Sequence, residues 1–275
     1  MIGQAKRLYE LNEMFEPQFS SSNSGGIIAF TSGKGGTGKT FLSLNIAFAL
    51  AELNKKVLVV DLDLNFANLN VMLNIVPGKS INHFIENQNS LAEIIYEYSS
   101  NLHFLFGDSG KLDNAEIGDS FIYGFMKQLR NLSQKYDYVF IDTASGANKV
   151  TISLLGLTDE IIFVTTSEPT AVMDAFVIAK LLAYMGIKNT KKVIVNRSDK
   201  SEGEIAFNNL SAAVKHFLNE EMKYLGNVDF DKDVSTSILN QEPFLLDCLQ
   251  SNTANQITSL GNKIANFKHV VNNSQ

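Results

Sequence analysis

Residues 32–40 read Ser-Gly-Lys-Gly-Gly-Thr-Gly-Lys-Thr, and this stretch decides the fold expected of the chain. A short apolar run, residues 27–30, precedes it and is typical of a buried strand. After it, Leu42, Ile46 and Leu50 recur at the spacing of one helix face. A strand, a glycine-rich loop and a helix in this order predict a phosphate-binding loop.

The residues of the loop explain how it would hold phosphate. Glycines let the backbone wrap closely, so that its N–H groups face phosphate oxygens, and the N-terminus of the following helix adds positive potential. Lys39 would reach the β- and γ-phosphates, and the Thr40 hydroxyl would bind Mg²⁺. An ordinary glycine turn is the alternative, but it leaves the Lys39-Thr40 pair unexplained. The predicted nucleotide-binding residues of the loop are Gly33, Lys34, Gly35, Gly36, Thr37, Gly38, Lys39, Thr40 and Phe41.

The composition indicates one α/β domain with a sizeable core. The chain has 275 residues, of which 45% are hydrophobic, and strand-like and helix-like segments alternate along it. A single cysteine, Cys248, excludes an intrachain disulfide framework. No apolar run approaches the roughly 18 residues that span a bilayer, and no signal-peptide pattern is present, so we expect a cytoplasmic protein. The net charge of −6 does not favour a protein that coats DNA, and we expect no specific nucleic acid partner.

Two further apolar runs, residues 57–60 and 138–141, end at Asp61 and Asp142. Runs that are apolar on both faces suit a parallel sheet covered by helices, and ligands of such sheets bind beyond the carboxyl ends of the strands. We therefore predict an α/β fold with a mostly parallel central sheet and helices on both faces. The alternative role for each aspartate is a cap on a strand-to-helix turn. Further strands are predicted over 102–106, 161–165 and 193–195, and helices over 121–134 and 171–185.

A second lysine narrows the class of nucleotide-binding protein. Lys34 stands five residues before Lys39, and the loop thereby resembles the deviant Walker A pattern of the MinD/ParA family of P-loop ATPases. The resemblance implies an ATP-bound homodimer in which two subunits hold two ATP molecules face to face. Lys34 would then reach the partner's nucleotide and neutralise charge during γ-phosphate transfer, as an arginine finger does. A solvated loop lysine is the alternative. Phe41 replaces the second hydroxyl residue that the family often carries.

The same resemblance assigns roles to the carboxylates at the strand ends. Asp142 is similar to the Walker B residue that holds Mg²⁺ through water, and Asp61 would share that role. The predicted metal-binding residues are therefore Thr40, Asp61 and Asp142. Asp63 matches the family position that orients the attacking water, so Lys34 and Asp63 are the predicted catalytic residues. The expected cofactors are ATP and Mg²⁺, because the metal prevents repulsion between carboxylates and phosphates.

Asn196 and Arg197 follow the predicted strand 193–195. In the resembling family such a pair recognises the adenine, since an asparagine amide offers both a donor and an acceptor. On the sequence alone, a polar pair after a strand is more often an ordinary loop. Residues 226–234 align with the second base-contacting loop of the family, but Asp229-Phe230 stands where its members usually have a proline.

The extension before the first strand carries an apolar stripe. Ile2, Ala5 and Leu8 recur at helical spacing, Pro17 ends the pattern, and residues 20–26 read as a flexible linker. A short tethered helix is not stable alone, which suggests that it folds on a partner.

Part of this extension points to one branch of the family. Gln4, Ala5 and Leu8 match the DQAxxLR activator motif of the FlhG branch, the MinD-like regulators of flagellar number and placement, while Gly3 and Tyr9 depart from it. The resemblance implies that the helix docks on an FlhF-type GTPase and stimulates GTP hydrolysis. A helix packed on its own domain is the alternative. Three further stretches are similar to the same branch, residues 61–70, 142–146 and 165–176.

The C-terminal residues show a second apolar stripe on a predicted amphipathic helix. Family relatives use such a helix to bind membrane as ATP-bound dimers, and flanking lysines suit a lipid interface. The resemblance therefore implies reversible peripheral contact with the inner face of the cell membrane. Packing of the helix on its own core is the alternative. The stripe consists of Ile257, Leu260, Ile264, Phe267 and Val271.

The sequence thus predicts an N-terminal partner-binding helix (1–19), a linker (20–26), a P-loop ATPase domain (27–252) and a C-terminal amphipathic helix (253–275). The predicted function is an ATP-dependent dimerising switch with slow, Mg²⁺-dependent hydrolysis, which regulates flagellar number or placement through an FlhF-type GTPase. The alternative is a MinD- or ParA-type ATPase that positions the division site or partitions DNA. A scaffold that binds nucleotide without hydrolysing it is a third hypothesis, which the intact set of lysines and aspartates disfavours.

Overall fold

The computed structural model describes residues 26–63, 68–86, 88–107, 118–248 and 250–266. Within these ranges, helices cover both faces of a central sheet, so the predicted α/β fold class is confirmed. The predicted N-terminal helix with Gln4, Ala5 and Leu8 lies outside the described residues, as do residues 20–25 of the predicted linker. The last residue of that linker, Gly26, is described.

The sheet forms because the apolar runs of the sequence pair side by side. Its strands are β1 (Gly26–Thr31), β2 (Val57–Leu62), β3 (Tyr96–Glu97), β4 (Leu102–Leu105), β5 (Tyr138–Thr143), β6 (Glu160–Thr166), β7 (Thr190–Asn196) and β8 (Lys223–Val228). Their order is β3-β4-β2-β5-β1-β6-β7-β8, and the pairings are parallel except between β3 and β4. The sequence did not predict the two edge strands: β3 has only two residues, and the β7–β8 register shifts between Val193 and Ile194.

The helices alternate with the strands, as expected of a parallel sheet. A short 3₁₀ helix, Leu91–Ile94, precedes β3. The α-helices are α1 (Lys39–Glu52), α2 (Leu69–Met72), α3 (Ile81–Ile85), α4 (Asp119–Ser133), α5 (Lys149–Gly156), α6 (Pro169–Tyr184), α7 (Lys200–Leu218), α8 (Lys232–Asn240), α9 (Phe244–Asp247) and α10 (Asn252–Ala265). The helices predicted over 121–134 and 171–185 correspond to α4 and α6.

Two apolar cores lie on opposite faces of the sheet. Successive side chains of a strand point to opposite faces, so Ile27 of β1 belongs to one core and Ile28 to the other. The first core packs under α4, α6 and α7, and the second packs under α1 and α10. This arrangement explains why the strands read as continuous apolar runs, since neither face meets water.

The C-terminal helix α10 belongs to the second core. Ile257, Leu260 and Ile264 are buried, and a Cβ on Gly261 would lie 3.0 Å from the Cβ of Ala49 in α1. In the described part of the predicted lipid-binding stripe, the apolar side chains therefore face the protein's own core. Phe267 and Val271 lie outside the described residues. No helix in the described ranges is long and apolar enough to cross a membrane.

The packing of α10 predicts the effect of truncating its central side chain. Ile257→Ala should lower the free energy of unfolding by about 3 kcal/mol, because it leaves a cavity in a closed core. Urea unfolding measures this change. Leu239→Ala on α8 is the control, since Leu239 is exposed and its truncation should change stability by less than about 0.5 kcal/mol. Equal effects of both substitutions would show that α10 is not a packed part of the domain.

Candidate functional site

The phosphate-binding loop connects β1 to α1 at the carboxyl edge of the sheet. Gly36 and Gly38 adopt left-handed backbone conformations with φ of 79° and 88°, which glycine adopts without strain. Gly38 is also the residue that precedes α1, so the left-handed turn directs the loop into the helix. At Gly33, a Cβ would lie 2.4 Å from the backbone carbon of Asp174 in α6. The loop is thus shaped by backbone geometry and by its close approach to a neighbouring helix.

A second loop supports the first from the end of β5. The backbone N–H of Gly146 donates to the carbonyl of Ser32 at 2.8 Å, and the Ser32 hydroxyl lies 3.3 Å from that of Ser145. The stretch 142–146, which was noted for its family resemblance, therefore also holds the start of the phosphate-binding loop in place.

Asn196 holds the loop from the end of β7. Its Nδ2 donates to the carbonyl of Thr37 at 2.8 Å, and the residue is 4% exposed. A Cβ on Gly38 would lie 2.2 Å from the same Nδ2, so this contact depends on glycine. In the described conformation Asn196 positions the loop, while Arg197 is exposed with a left-handed φ of 55°. Adenine recognition by the pair stays a prediction.

Lys39, Thr40 and Asp142 form the centre of the site. The Lys39 Nζ lies 2.7 Å from one carboxylate oxygen of Asp142, and the Thr40 hydroxyl donates to the other at 2.6 Å. Lys39 is 5% exposed and Asp142 is 1% exposed. The structure therefore brings the adjacent lysine and hydroxyl of the loop to a strand-end carboxylate about a hundred residues later in the sequence. The sequence predicted that these three groups lie at one site.

Asp61 lies next to Asp142, because the two residues are register partners on β2 and β5. Burial, and after it the Asp142 carboxylate, raise the pKa of Asp61 to about 7, against the lowering effect of backbone N–H groups and of Lys39. Its carboxylate accepts backbone N–H bonds from Asp63, Asn68 and Leu69 at 3.1, 3.1 and 3.2 Å. Asp61 thus caps the turn after β2, the alternative role that the sequence left open, and its contact with a metal stays a prediction.

Asp63 is the last described residue before the gap at 64–67 and is partly buried. Its backbone N–H is bound to Asp61, so its position follows from the turn that Asp61 holds. The structure places it near the edge of the site, beyond the end of β2, and its catalytic role stays a prediction.

Lys34, the lysine near the start of the loop, is held within its own chain. The Lys34 Nζ lies 2.9 Å from a carboxylate oxygen of Glu168, the residue that precedes α6, and about half of the lysine side chain is exposed. This hydrogen bond, with the charges of Lys34 and Arg197, holds the pKa of Glu168 below its ordinary value. The sequence analysis assigned Glu168 no contact with the phosphate-binding loop. The signal that could have predicted this ion pair is an acidic residue shortly after β6, at the sheet edge where the phosphate-binding loop lies.

The side chain of Phe41 points into the core. Its side chain is buried, and its ring packs edge to face on that of Phe244 at 5.6 Å between ring centroids. The side chain therefore belongs to the core under α1, and nucleotide binding by Phe41, which would use the backbone N–H, stays a prediction.

The described residues fit a nucleotide with Mg²⁺. The Thr37 hydroxyl is buried and has no hydrogen-bond partner in the described part of the chain, so a bound group can supply one. No cluster of three or more His, Cys, Asp or Glu residues that would hold a metal occurs there. Mg²⁺ does not require such a cluster, because it is usually bound by one or two protein ligands together with phosphates and water. Thr40 and Asp142 are the adjacent oxygen ligands that would hold it.

Comparison with known sequences agrees with this geometry. The profile of a family described as AAA domain matches residues 25–196. The antiactivator FleN of Pseudomonas aeruginosa is 28% identical over 225 residues, which cover 82% of this chain and 80% of FleN. The flagellum site-determining protein YlxH of Helicobacter pylori is 32% identical over 238 residues, which cover 83% of this chain and 79% of YlxH.

A solved structure shares the fold across nearly its whole length. The septum site-determining protein MinD of Pyrococcus horikoshii, complexed with Mg-ADP, superposes with a TM-score of 0.75 and 25% identity. The match covers 89% of this chain and 98% of that protein.

The burial of Asp61 makes the stability of the nucleotide-free chain depend on pH. Its pKa is about 7 in the folded chain, against 3.8 for an ordinary aspartate, so between these values the folded state holds a proton that the unfolded state has released. Stability should therefore fall as the pH rises through this range, by at most about 1.4 kcal/mol per pH unit from this group. Asp61→Asn should remove this part of the slope in urea unfolding at about pH 5 and pH 7. An identical slope in parent and variant would contradict the assignment.

Proposed function

Because this chain belongs to the AAA domain family and is a MinD/ParA-type ATPase that uses ATP and Mg²⁺, we propose that its ATP cycle controls the number or placement of flagella. The cluster of the buried Lys39 and Asp142 with the partly buried Thr40 carries the catalytic part of this conclusion. The flagellar part is supported by FleN and YlxH, each of which aligns with about four fifths of the chain.

The proposed cycle begins with ATP on the loop. Backbone N–H groups and Lys39 would bind the phosphates, Thr40 and the carboxylates would hold Mg²⁺, and Asp63 would orient the attacking water. When bound, Mg²⁺ neutralises charge on the phosphates. Hydrolysis should be slow without a partner, since most of the catalysis in phosphoryl transfer comes from positioning and electrostatics.

ATP binding would favour a homodimer, and hydrolysis would dissolve it. Such a switch works only if ATP binds the dimer and the monomer with different affinities. Lys34 supports the proposal, because it lies at the surface of the loop and is half exposed, where a second subunit can approach. To reach a partner's nucleotide, Lys34 must leave Glu168, and the γ-phosphate offers it a more highly charged acceptor.

The cycle predicts that Asp63→Ala traps an ATP-bound dimer. The variant should bind ATP and dimerise but hydrolyse at least about tenfold more slowly, because the water loses its orienting group. Size-exclusion chromatography with light scattering in Mg-ATP and a phosphate-release assay measure the two properties. Lys39→Ala is the control, and it should stay monomeric because it loses nucleotide binding. Rapid ATP turnover by Asp63→Ala would overturn the catalytic assignment.

We further propose that the N-terminal segment acts on an FlhF-type GTPase through Gln4, Ala5 and Leu8. The support is the sequence match alone, since these residues lie outside the described ranges. The ATPase would then have a partner whose activity it can alter.

The proposed partner predicts a loss of GTPase stimulation in a variant of the N-terminal motif. Leu8→Asp in the full chain should abolish most of the stimulation of an FlhF-type GTPase, because a charge replaces the apolar contact, while its own ATP binding stays normal. GTP hydrolysis is measured with parent, variant and the exposed-surface control Leu239→Asp. Equal stimulation by all three chains would remove the main support for the GTPase partner.

A MinD- or ParA-type role in cell division or DNA partition is the second candidate. The fold match to the septum site-determining MinD favours it. Salt-dependent retention of the ATP-bound chain on non-specific DNA would support the partition role.

Membrane contact through residues 253–275 is proposed only for the part after residue 266, because the preceding stripe is buried. In either role the chain would act in the cytoplasm, at the membrane surface where that contact is made.

A further inference from the structure

An open apolar groove lies between α6 and α7, on the outer side of the helix layer. It encloses about 470 Å³, and its walls include Val172 and Phe176. Three large apolar side chains along it are mostly exposed: Met173 at 60%, Ile205 at 59% and Phe217 at 70%. The site described above uses none of these residues.

The groove has the character of a docking surface for a helix. A contiguous group of exposed apolar side chains marks an interaction site more often than scattered ones do, and burial of each is worth about 1.5–3 kcal/mol. Helices α6 and α7 form two ridges with the groove between them, and such a groove suits the apolar face of an amphipathic helix. The rings of Phe176 and Phe217 contact each other edge to face at 6.0 Å and bound the channel at one end.

We propose that residues 1–16 of the same chain dock in this groove as a helix. The segment supplies an apolar stripe in which positions recur every three or four residues. A helix of this length measures about 24 Å, and α6, with its 16 residues, has the same length. The stripe consists of Ile2, Ala5, Leu8, Leu11 and Phe15.

The position at which the chain enters the fold makes this docking feasible. Parallel strands begin at one edge of a sheet, so the start of β1 at Gly26 lies at the same edge as the start of β8. Helix α7 ends at Leu218, shortly before β8, and therefore brings Phe217 to that edge. Residues 17–25 can span about 30 Å when extended, and the helix layer to be crossed is about 10–12 Å thick.

Charge favours one direction of the docked segment. With Phe15 near Phe217, the N-terminal half of the segment extends toward Glu202, the charged side chain of the groove lining, near the start of α7. That half contains Lys6 and Arg7, whose charges are opposite to that of Glu202. A rim pair of this kind adds little affinity but fixes direction.

Docking would hide Ala5 and Leu8 from any other partner. The segment would then be available only when the groove is empty or when a partner competes for it. The inference rests on the groove and on the sequence pattern, and it holds whether or not an FlhF-type GTPase is the partner.

Cross-linking within the full chain tests the proposal. Tyr9→Cys and Asn209→Cys, in a Cys248→Ser background, place single thiols midway along the segment and midway along the exposed side of α7. A short bismaleimide should join them within one chain at a rate that does not depend on protein concentration. Adding Phe217→Glu should slow this reaction by about tenfold or more, because it places a charge in the groove.

The matched control is Leu239→Glu, which changes an apolar residue on α8 that is also largely exposed and should leave the rate unchanged. Because Phe217 and Leu239 are both largely exposed, both variants should fold. Three results would overturn the proposal. These are equal rates with and without Phe217→Glu, cross-linked dimers whose yield rises with protein concentration, and faster cross-linking from Val271→Cys than from Tyr9→Cys. The last two results would assign the groove to a second copy or to the C-terminal residues.

Discussion

The buried ion pair between Lys39 and Asp142 is the interaction on which the site depends. Both side chains are almost fully buried, and a buried charge is tolerated only when it is paired and hydrogen-bonded. The pair fastens the phosphate-binding loop to β5 at the point where the strand ends. Because Thr40 donates to the second oxygen of the same carboxylate, the first residues of α1 are fixed as well. The loop is therefore held in shape by contacts within the chain itself, which lowers the cost of ordering it when a nucleotide binds.

Asp61 adds a second buried carboxylate to this pair. One lysine stands beside two buried carboxylates, and burial together with the Asp142 charge raises the pKa of Asp61 to about 7. A divalent cation would favour the charged form of both carboxylates, while phosphates would share the charge of Lys39. The metal and the nucleotide are thus complementary in charge to what the chain provides, and each alone would leave a surplus of one sign.

The sequence predicted the parts of the site that follow from local order along the chain. A strand, a glycine loop and a helix place Lys39 and Thr40 together, and parallel strands bring Asp61 and Asp142 to the same edge. Contacts between separate loops were not predictable in this way. The bonds from Asn196 to Thr37 and from Lys34 to Glu168 depend on how the end of each strand turns. The stripe of α10 was ambiguous for a physical reason, since a protein core and a lipid interface select the same apolar pattern.

Helix α6 connects the nucleotide site to the apolar groove. Gly33 packs against Asp174 on this helix, Lys34 is held by Glu168 just before it, and the groove begins at Ser167 and Pro169 beside that glutamate. A Lys34 that leaves Glu168 for a phosphate would free the residue that precedes α6. Two states of α6 then have to be compared, one with Glu168 bound to Lys34 and one with Glu168 released. The groove is coupled to the nucleotide site to the extent that its occupant binds these two states with different affinities. If such a difference exists, linkage requires that the occupant also change the affinity for ATP in the same proportion.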